Sequence, residues 1–209
     1  MKLLKFIGIL LLLMMMMCSC ERKNYEADVY TRIFKKYNDL KSYQCIAEVT
    51  VTSNKTTKVY TMKQHYKAPD CYRVEILSPE EIKGLVTVYA DNNVTTVHPE
   101  IEGKFTLLDY SPVHESYIFL PNFFEAYYKS EQTSVTTINE EDDSRYTILK
   151  ADIPGNNLYR FSQSIWIDNQ SLLPVKMEIY DISNKPTVSV LFYDVELDVE
   201  IKDELFKVN

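Results

Sequence analysis

From Phe161 to Val199 apolar residues recur at every second position between runs of turn-forming residues, which is the period of a half-buried β-strand. Phe161, Ile165 and Ile167 share one parity, while Ser162, Ser164, Trp166 and Asp168 take the other. Asp168-Asn169-Gln170-Ser171 then supplies side chains that cap a turn. Leu173, Val175, Met177 and Ile179 continue on one face, with Lys176, Glu178 and Tyr180 opposite, up to the turn from Asp181 to Pro186. Val188, Val190 and Phe192 begin a third strand, after which Val195, Leu197 and Val199 resume on the opposite parity. A β-bulge near Tyr193-Asp194 would re-aim the strand in this way. Three strands with short connections form an antiparallel meander with one wet face, so the rest of the chain must cover the other.

The same reading extends upstream. Ala27 to Leu40 places Tyr30, Ile33, Phe34, Tyr37 and Leu40 three and four residues apart, the spacing of an amphipathic helix. Tyr43 to Thr52, Thr57 to Tyr66 and Cys71 to Leu77 read as strands, followed by a loop or short helical turn from Ser78 to Gly84. Leu85 to Ala90 and Val94 to His98 flank Asp91-Asn92-Asn93, a hairpin turn built from residues that tolerate positive φ. Phe105 to Tyr110 reads as a sixth strand. At Ser111 the pattern turns helical, with Ser111 as a cap and Pro112 at the first helical position. Pro121 should then kink or split the helix that follows. That helix carries Tyr117, Ile118, Phe119, Phe123, Phe124, Tyr127 and Tyr128; it reads either as a core helix closing the sheet or as a lid over an apolar groove lined by Tyr117, Ile118, Phe123, Phe124 and Tyr127. Two further strands, Glu131 to Asn139 and Arg145 to Ala151, lead to the meander, and Lys202 to Phe206 ends the chain in a short turn that buries Leu205 and Phe206. The expected fold class is α+β: a strongly curved antiparallel sheet of about 11 strands, a half-barrel, with helices packed in its concave face.

The beginning of the chain changes the picture from fold to location. Lys2 and Lys5 precede an unbroken apolar run from Phe6 to Met17 and then Cys18-Ser19-Cys20. The run is well short of the roughly 20 residues that a membrane-crossing helix needs, and it reads as a lipoprotein signal over residues 1–19. Small Ser19 precedes Cys20, so Cys20 is the expected acceptor of the diacylglycerol, with residues 20–26 as tether and 27–209 as a single domain. Without Lys2 and Lys5 the balance becomes 21 basic residues against 30 acidic, a net charge of -9 in place of -7. Such a domain is repelled by phosphates, so no nucleic-acid partner is expected, and the membrane is held through the lipid.

Candidate chemistry is sparse. Cys45 and Cys71 lie in strand-like runs, as buried thiols or as a disulfide. His65, His98 and His114 show no paired-ligand spacing, and His98 with Glu100, or His114 with Glu115, forms a site only if the fold unites them. Glu140 to Asp143 is a solvated hairpin tip or a divalent-cation loop, with spacing that matches no calcium motif. No nucleophile elbow or phosphate-cradling glycine loop is present. The expectation is a protein with no catalytic residues, no metal and no cofactor beyond the lipid on Cys20.

The run from Ile165 to Asp181 (IWIDNQSLLPVKMEIYD), the later DVEL at Asp194 to Leu197 and the final DELF at Asp203 to Phe206 resemble the LolA/LolB-type lipoprotein carrier superfamily. Within it, the lipidated, Lys- and Asn-rich, Gly-poor chain is similar to the GerS-type germination lipoproteins of clostridia. That resemblance implies an extracytoplasmic, membrane-anchored protein required for spore germination. Its implied partner is a CwlD-type N-acetylmuramoyl-L-alanine amidase needed for making muramic-δ-lactam in cortex peptidoglycan, and the resemblance implies that the protein itself is not an enzyme. The alternative implied by the superfamily is a carrier that takes acyl chains in the concave groove. A homodimer is compatible with either.

Overall fold

The computed structural model describes residues 28–110, 116–139, 145–155 and 157–208. The chain divides into two compact units, Met1–Lys36 and Tyr37–Asn209. Helix α1, residues 28–38, crosses that boundary. Val29, Ile33 and Tyr37 are buried on it at intervals of four, as the helical period predicts. Phe34, expected on the same face, is 43% exposed, because one residue beyond Ile33 lies about 100° around the helix.

The body of the second unit is one antiparallel sheet. Its strands are β1 (Ser42–Thr52), β2 (Thr57–Lys67), β3 (Cys71–Ser78), β4 (Val86–Ala90), β5 (Asn93–Val97), β6 (Phe105–Leu107), β7 (Thr133–Asn139), β8 (Arg145–Asp152), β9 (Ser162–Asp168), β10 (Pro174–Tyr180) and β11 (Pro186–Leu197). Their spatial order is β6-β5-β4-β3-β2-β1-β11-β10-β9-β8-β7. The sheet is curved and does not close on itself. The chain therefore starts in mid-sheet, winds outward to one edge at β6, crosses through helix α2 (Leu120–Lys129) to the other edge at β7, and winds back until β11 pairs with β1.

Register follows from the alternation. Cys45 opposes Gln64 and Ala47 opposes both Met62 and Phe192. Val190 opposes Val49 and Met177, Met177 opposes Ile165, and Ile165 opposes Leu149. These residues form a buried stripe across six strands on the inner face, each large side chain contributing roughly 1.5–3 kcal/mol of hydrophobic stabilisation. The phase flip in β11 is a bulge: the register slips between Gln44 and Ile46, and Asp194 takes the positive φ of 50°. The β4–β5 turn carries positive φ at Asp91 and Asn92, the type I′ geometry expected there.

Three expectations are corrected. Pro121 does not bend a helix; it sits in the first turn of α2, where its missing N–H costs nothing. The split falls at extended Phe119, after a 3-10 turn over Ser116–Ile118. β6 ends at Leu107 rather than Tyr110, since Asp109 turns with positive φ. The outer side of β9 is not wet: Ser162 and Ser164 are buried along with Gln163 and Ile165, while Phe161 lies before the strand and is 41% exposed. Short serines on that side sit beside Tyr180 and Glu178 of β10, and these longer neighbours screen them from water.

Candidate partner-binding surfaces

The aromatic segment forms part of the core. Phe123, Phe124 and Tyr127 of α2 are buried, and Tyr117 and Ile118 in the preceding turn are half-buried. A ladder of phenol rings crosses the inner face, Tyr43 to Tyr66 at 5.9 Å, Tyr66 to Tyr72 at 5.1 Å and Tyr72 to Tyr89 at 5.9 Å. Phe119 meets Tyr72 edge-on at 4.8 Å, and the Tyr72 hydroxyl donates to Asn122 Oδ1 at 2.8 Å. The Tyr43 hydroxyl donates to Gln64 Oε1 at 3.0 Å and accepts the Leu120 N–H at 3.4 Å, joining the start of α2 to the sheet. Tyr37 stacks on Phe124 at 4.1 Å and donates to the Leu172 carbonyl at 2.8 Å. Burial pushes the Tyr43 and Tyr72 phenols well up, and Tyr66 to about 12. These hydroxyls stay neutral and serve as hydrogen-bond donors rather than bases.

The titratable candidates do not converge. Cys45 is buried on the inner face, bonded to Gln64 Oε1, and pushed up to about 12 by burial. Cys71 is half-buried and belongs to the outer face; both thiols are free. His98 accepts the Glu100 backbone N–H at Nδ1, a local turn. His65 is buried in β2 with an unpartnered Nδ1, and burial followed by the charges of Lys63 and Arg73 pushes it down to about 4. Among the described residues no three His, Cys, Asp or Glu side chains gather as metal ligands, and no helix is long and apolar enough to cross a membrane. Cys20, Ser111, Pro112, His114 and the four carboxylates from Glu140 to Asp143 lie outside the described residues.

Surface therefore remains. A second small core covers the outer face of β3 and β4: Ile201 and Phe206 of the C-terminal segment pack on Val86 and Val88, with Leu205 half-buried beside them. Lys67 Nζ donates to the Ile201 carbonyl at 2.8 Å and pairs with Asp203. Farther across the outer face Lys176 stands 4.7 Å over Trp166 and 2.7 Å from Glu178, and the Tyr180 hydroxyl donates to Glu178 at 2.5 Å. The two sheet edges differ. β6 is three residues long, whereas β7 is seven residues long and pairs with β8 without interruption from Thr133↔Ala151 to Asn139↔Arg145.

The family described as sporulation protein YdcC-like matches residues 1–206. The chain belongs to that family. A YdcC-like sporulation protein from Bacillus subtilis (strain 168) is 22% identical over 196 residues, 94% of this chain. The match spans 57% of that relative's length. A chain in the structure of the CwlD amidase from Clostridioides difficile in complex with the GerS lipoprotein is 28% identical, aligning over 84% of this chain and 95% of its own with a TM-score of 0.50. A LolA-superfamily protein from Nitrosomonas europaea, 14% identical, aligns over 85% of this chain and 97% of its own with a TM-score of 0.45. The family's description points to sporulation, and the GerS-type resemblance drawn from the sequence agrees with the likeness to a chain of the amidase–GerS complex.

Proposed function

We propose that this YdcC-like chain is a membrane-anchored, non-enzymatic partner of a CwlD-type cell-wall amidase in the sporulating cell. Lipid on Cys20 holds it outside the membrane, and its sheet presents the amidase to cortex peptidoglycan. The observation that supports this reading is the likeness, across most of both chains, to a chain of the amidase–GerS complex. The described residues fit a binding role: the aromatic segment is packed inward, the inner phenols are neutral and His98 is engaged in a local turn. Amidase activation frees the lactyl carboxyl of muramic acid, a step needed for making muramic-δ-lactam, the cortex feature needed for germination.

The test is affinity purification of the tagged full-length chain from sporulating cells, with amidase assays on peptidoglycan using chain alone, amidase alone and both. Co-purification of the amidase, activity rising only in the mixture, and loss of membrane retention in Cys20→Ala are expected. Cleavage by the chain alone, or failure to recover or stimulate the amidase, would overturn the proposal.

A further inference from the structure

β1 and β11 stay paired as far as Val51↔Val188. Beyond that pair the chain turns twice at the same end of the sheet, at residues 53–56 between β1 and β2 and at residues 181–185 between β10 and β11. A cleft of about 620 Å³ lies between the turns, a volume in the range of about 300–1,000 Å³ that small-ligand sites occupy. Lys55, Arg160, Lys185 and Tyr159 line it among serine and threonine hydroxyls. Both turns are fixed by their own side chains. Ser53 Oγ accepts the Thr56 N–H at 3.0 Å, and Asp181 Oδ1 accepts the Ser183 and Lys185 N–H groups at 2.9 Å each. Asp181 is the only acid among the described lining residues, and its carboxylate is engaged by its own turn. Lys55 and Lys185 are exposed and form no ion pair with a described residue. Arg160 stands 5.9 Å over the Tyr117 ring. The backbone of Tyr159 is held by Asn157 Oδ1 at 2.9 Å and the Thr187 hydroxyl at 2.8 Å, while the residue itself is 65% exposed.

We infer that this cleft binds a carboxylate-bearing saccharide, its carboxylate held by Lys55, Arg160 and Lys185 and a sugar ring laid on Tyr159. Charge and shape select this occupant. The chain as a whole carries a formal net charge of -7, so a nucleic acid or polyphosphate, charged at every unit, is repelled by the rest of the surface. A polymer with sparse carboxylates meets the local cations without that repulsion. A bilayer is flat and would span the mouth of the cleft without entering it, whereas a sugar ring enters. Its hydroxyls then meet the serine and threonine side chains, and its C–H face meets the phenol ring. The inference rests on the amidase reading for the choice of glycan: a strand from which the stem peptide has been removed exposes a lactyl carboxylate on each muramic acid. The cleft is where the chain itself grips that strand.

The test is isothermal titration of the full-length chain in detergent with peptide-stripped glycan strands, against chitin oligosaccharides of matched length, which lack only the lactyl carboxylate. Wild type should bind the stripped strands, lose affinity as salt rises and ignore the chitin oligosaccharides. Lys55→Gln with Lys185→Gln should weaken binding about tenfold, and Tyr159→Ala about fivefold. Both variants should keep the wild-type melting temperature, because these side chains are exposed. Lys202→Gln with Lys207→Gln removes the same charge outside the cleft and should leave binding unchanged. No wild-type binding, equal binding by the cleft variants, or an equal loss in the outside pair would overturn the inference. Glycerol phosphate, the headgroup of an anionic lipid, competing better than the stripped strands would overturn the choice of occupant. Capture of the amidase is measured in parallel: capture without glycan binding refutes the cleft alone, and glycan binding without capture refutes the partner reading alone.

Discussion

Gln163 offers the sharpest test of how the interior is held. It lies on the inner-face parity of β9, opposite Ile179 and Ala151, and is 0% exposed. Neither its amide oxygen nor its amide nitrogen has a hydrogen-bond partner. Burying an amide without compensation costs about 1–3 kcal/mol on the scale of protein substitutions. Methionine has nearly the same length and flexibility and carries no such requirement. Gln163→Met should therefore raise the unfolding free energy by about 1–3 kcal/mol, or the melting temperature by about 2–10 °C in a chain of this size. Gln64 is the control, equally buried but bonded to Tyr43, Cys45 and Met62. Gln64→Met should act in the opposite direction by a similar amount, since it strands the Tyr43 hydroxyl. Urea unfolding followed by Trp166, the sole tryptophan, reads both: the midpoint should move and the slope should not. A Gln163→Met midpoint equal to or below wild type would refute the reasoning and mark that amide as bonded in the native protein.

Three more outcomes follow from the same geometry. His65 is neutral in the folded chain down to about pH 4, whereas in the unfolded chain it takes a proton near 6.5. The unfolded state thus binds the proton first as pH falls, so this residue's contribution is lost between roughly pH 6.5 and 4; His65→Gln should flatten that part of the urea midpoint profile, and an unchanged profile would count against it. Phe206→Ala empties the small outer core and should cost about 3 kcal/mol, with Cys71 becoming more reactive because it packs beside that core; equal stability would mean that the C-terminal segment is not seated there. Cys45, pushed up to about 12, should resist maleimide at pH 8 until the chain unfolds, while half-buried Cys71 reacts sooner; mass spectrometry of the labelled protein separates the two.

Most of the sheet was legible because its strands obey a period of two and its turns use Asp, Asn, Ser and Pro. The bulge at Asp194 was readable from the parity of Val190 and Phe192 against Val195 and Leu197, and the β4–β5 turn from Asp91-Asn92. Errors arose where a neighbour decides the environment. Ser162 and Ser164 look wet by residue type, but Tyr180 and Glu178 on the adjacent strand cover them. Pro121 looked internal because the apolar pattern runs through it, although the break at Phe119 makes it a helix starter. The pairing of β1 with β11 has no local signal at all, being a contact between distant segments. For the candidate surfaces, the aromatic run was visible but its inward packing was not decided by spacing. The bareness of β7 could have been read from seven uncharged residues, but only the sheet order reveals that they form an edge.

That order also dictates how the chain must assemble. Each arm, β1 to β6 and β7 to β11, is a run of neighbouring hairpins that can form from local contacts, but the seam between them joins residues about 150 apart, Tyr43 with Leu197 and Val51 with Val188 among them. Local pairs form quickly and distant ones late, so the seam should zip after both arms exist. The C-terminal lock of Ile201 and Phe206 emerges directly after the last seam strand. Newly made chains would thus keep an open, apolar β1 margin until the final quarter has left the ribosome, and shielding that margin is the natural task for any chaperone that meets them.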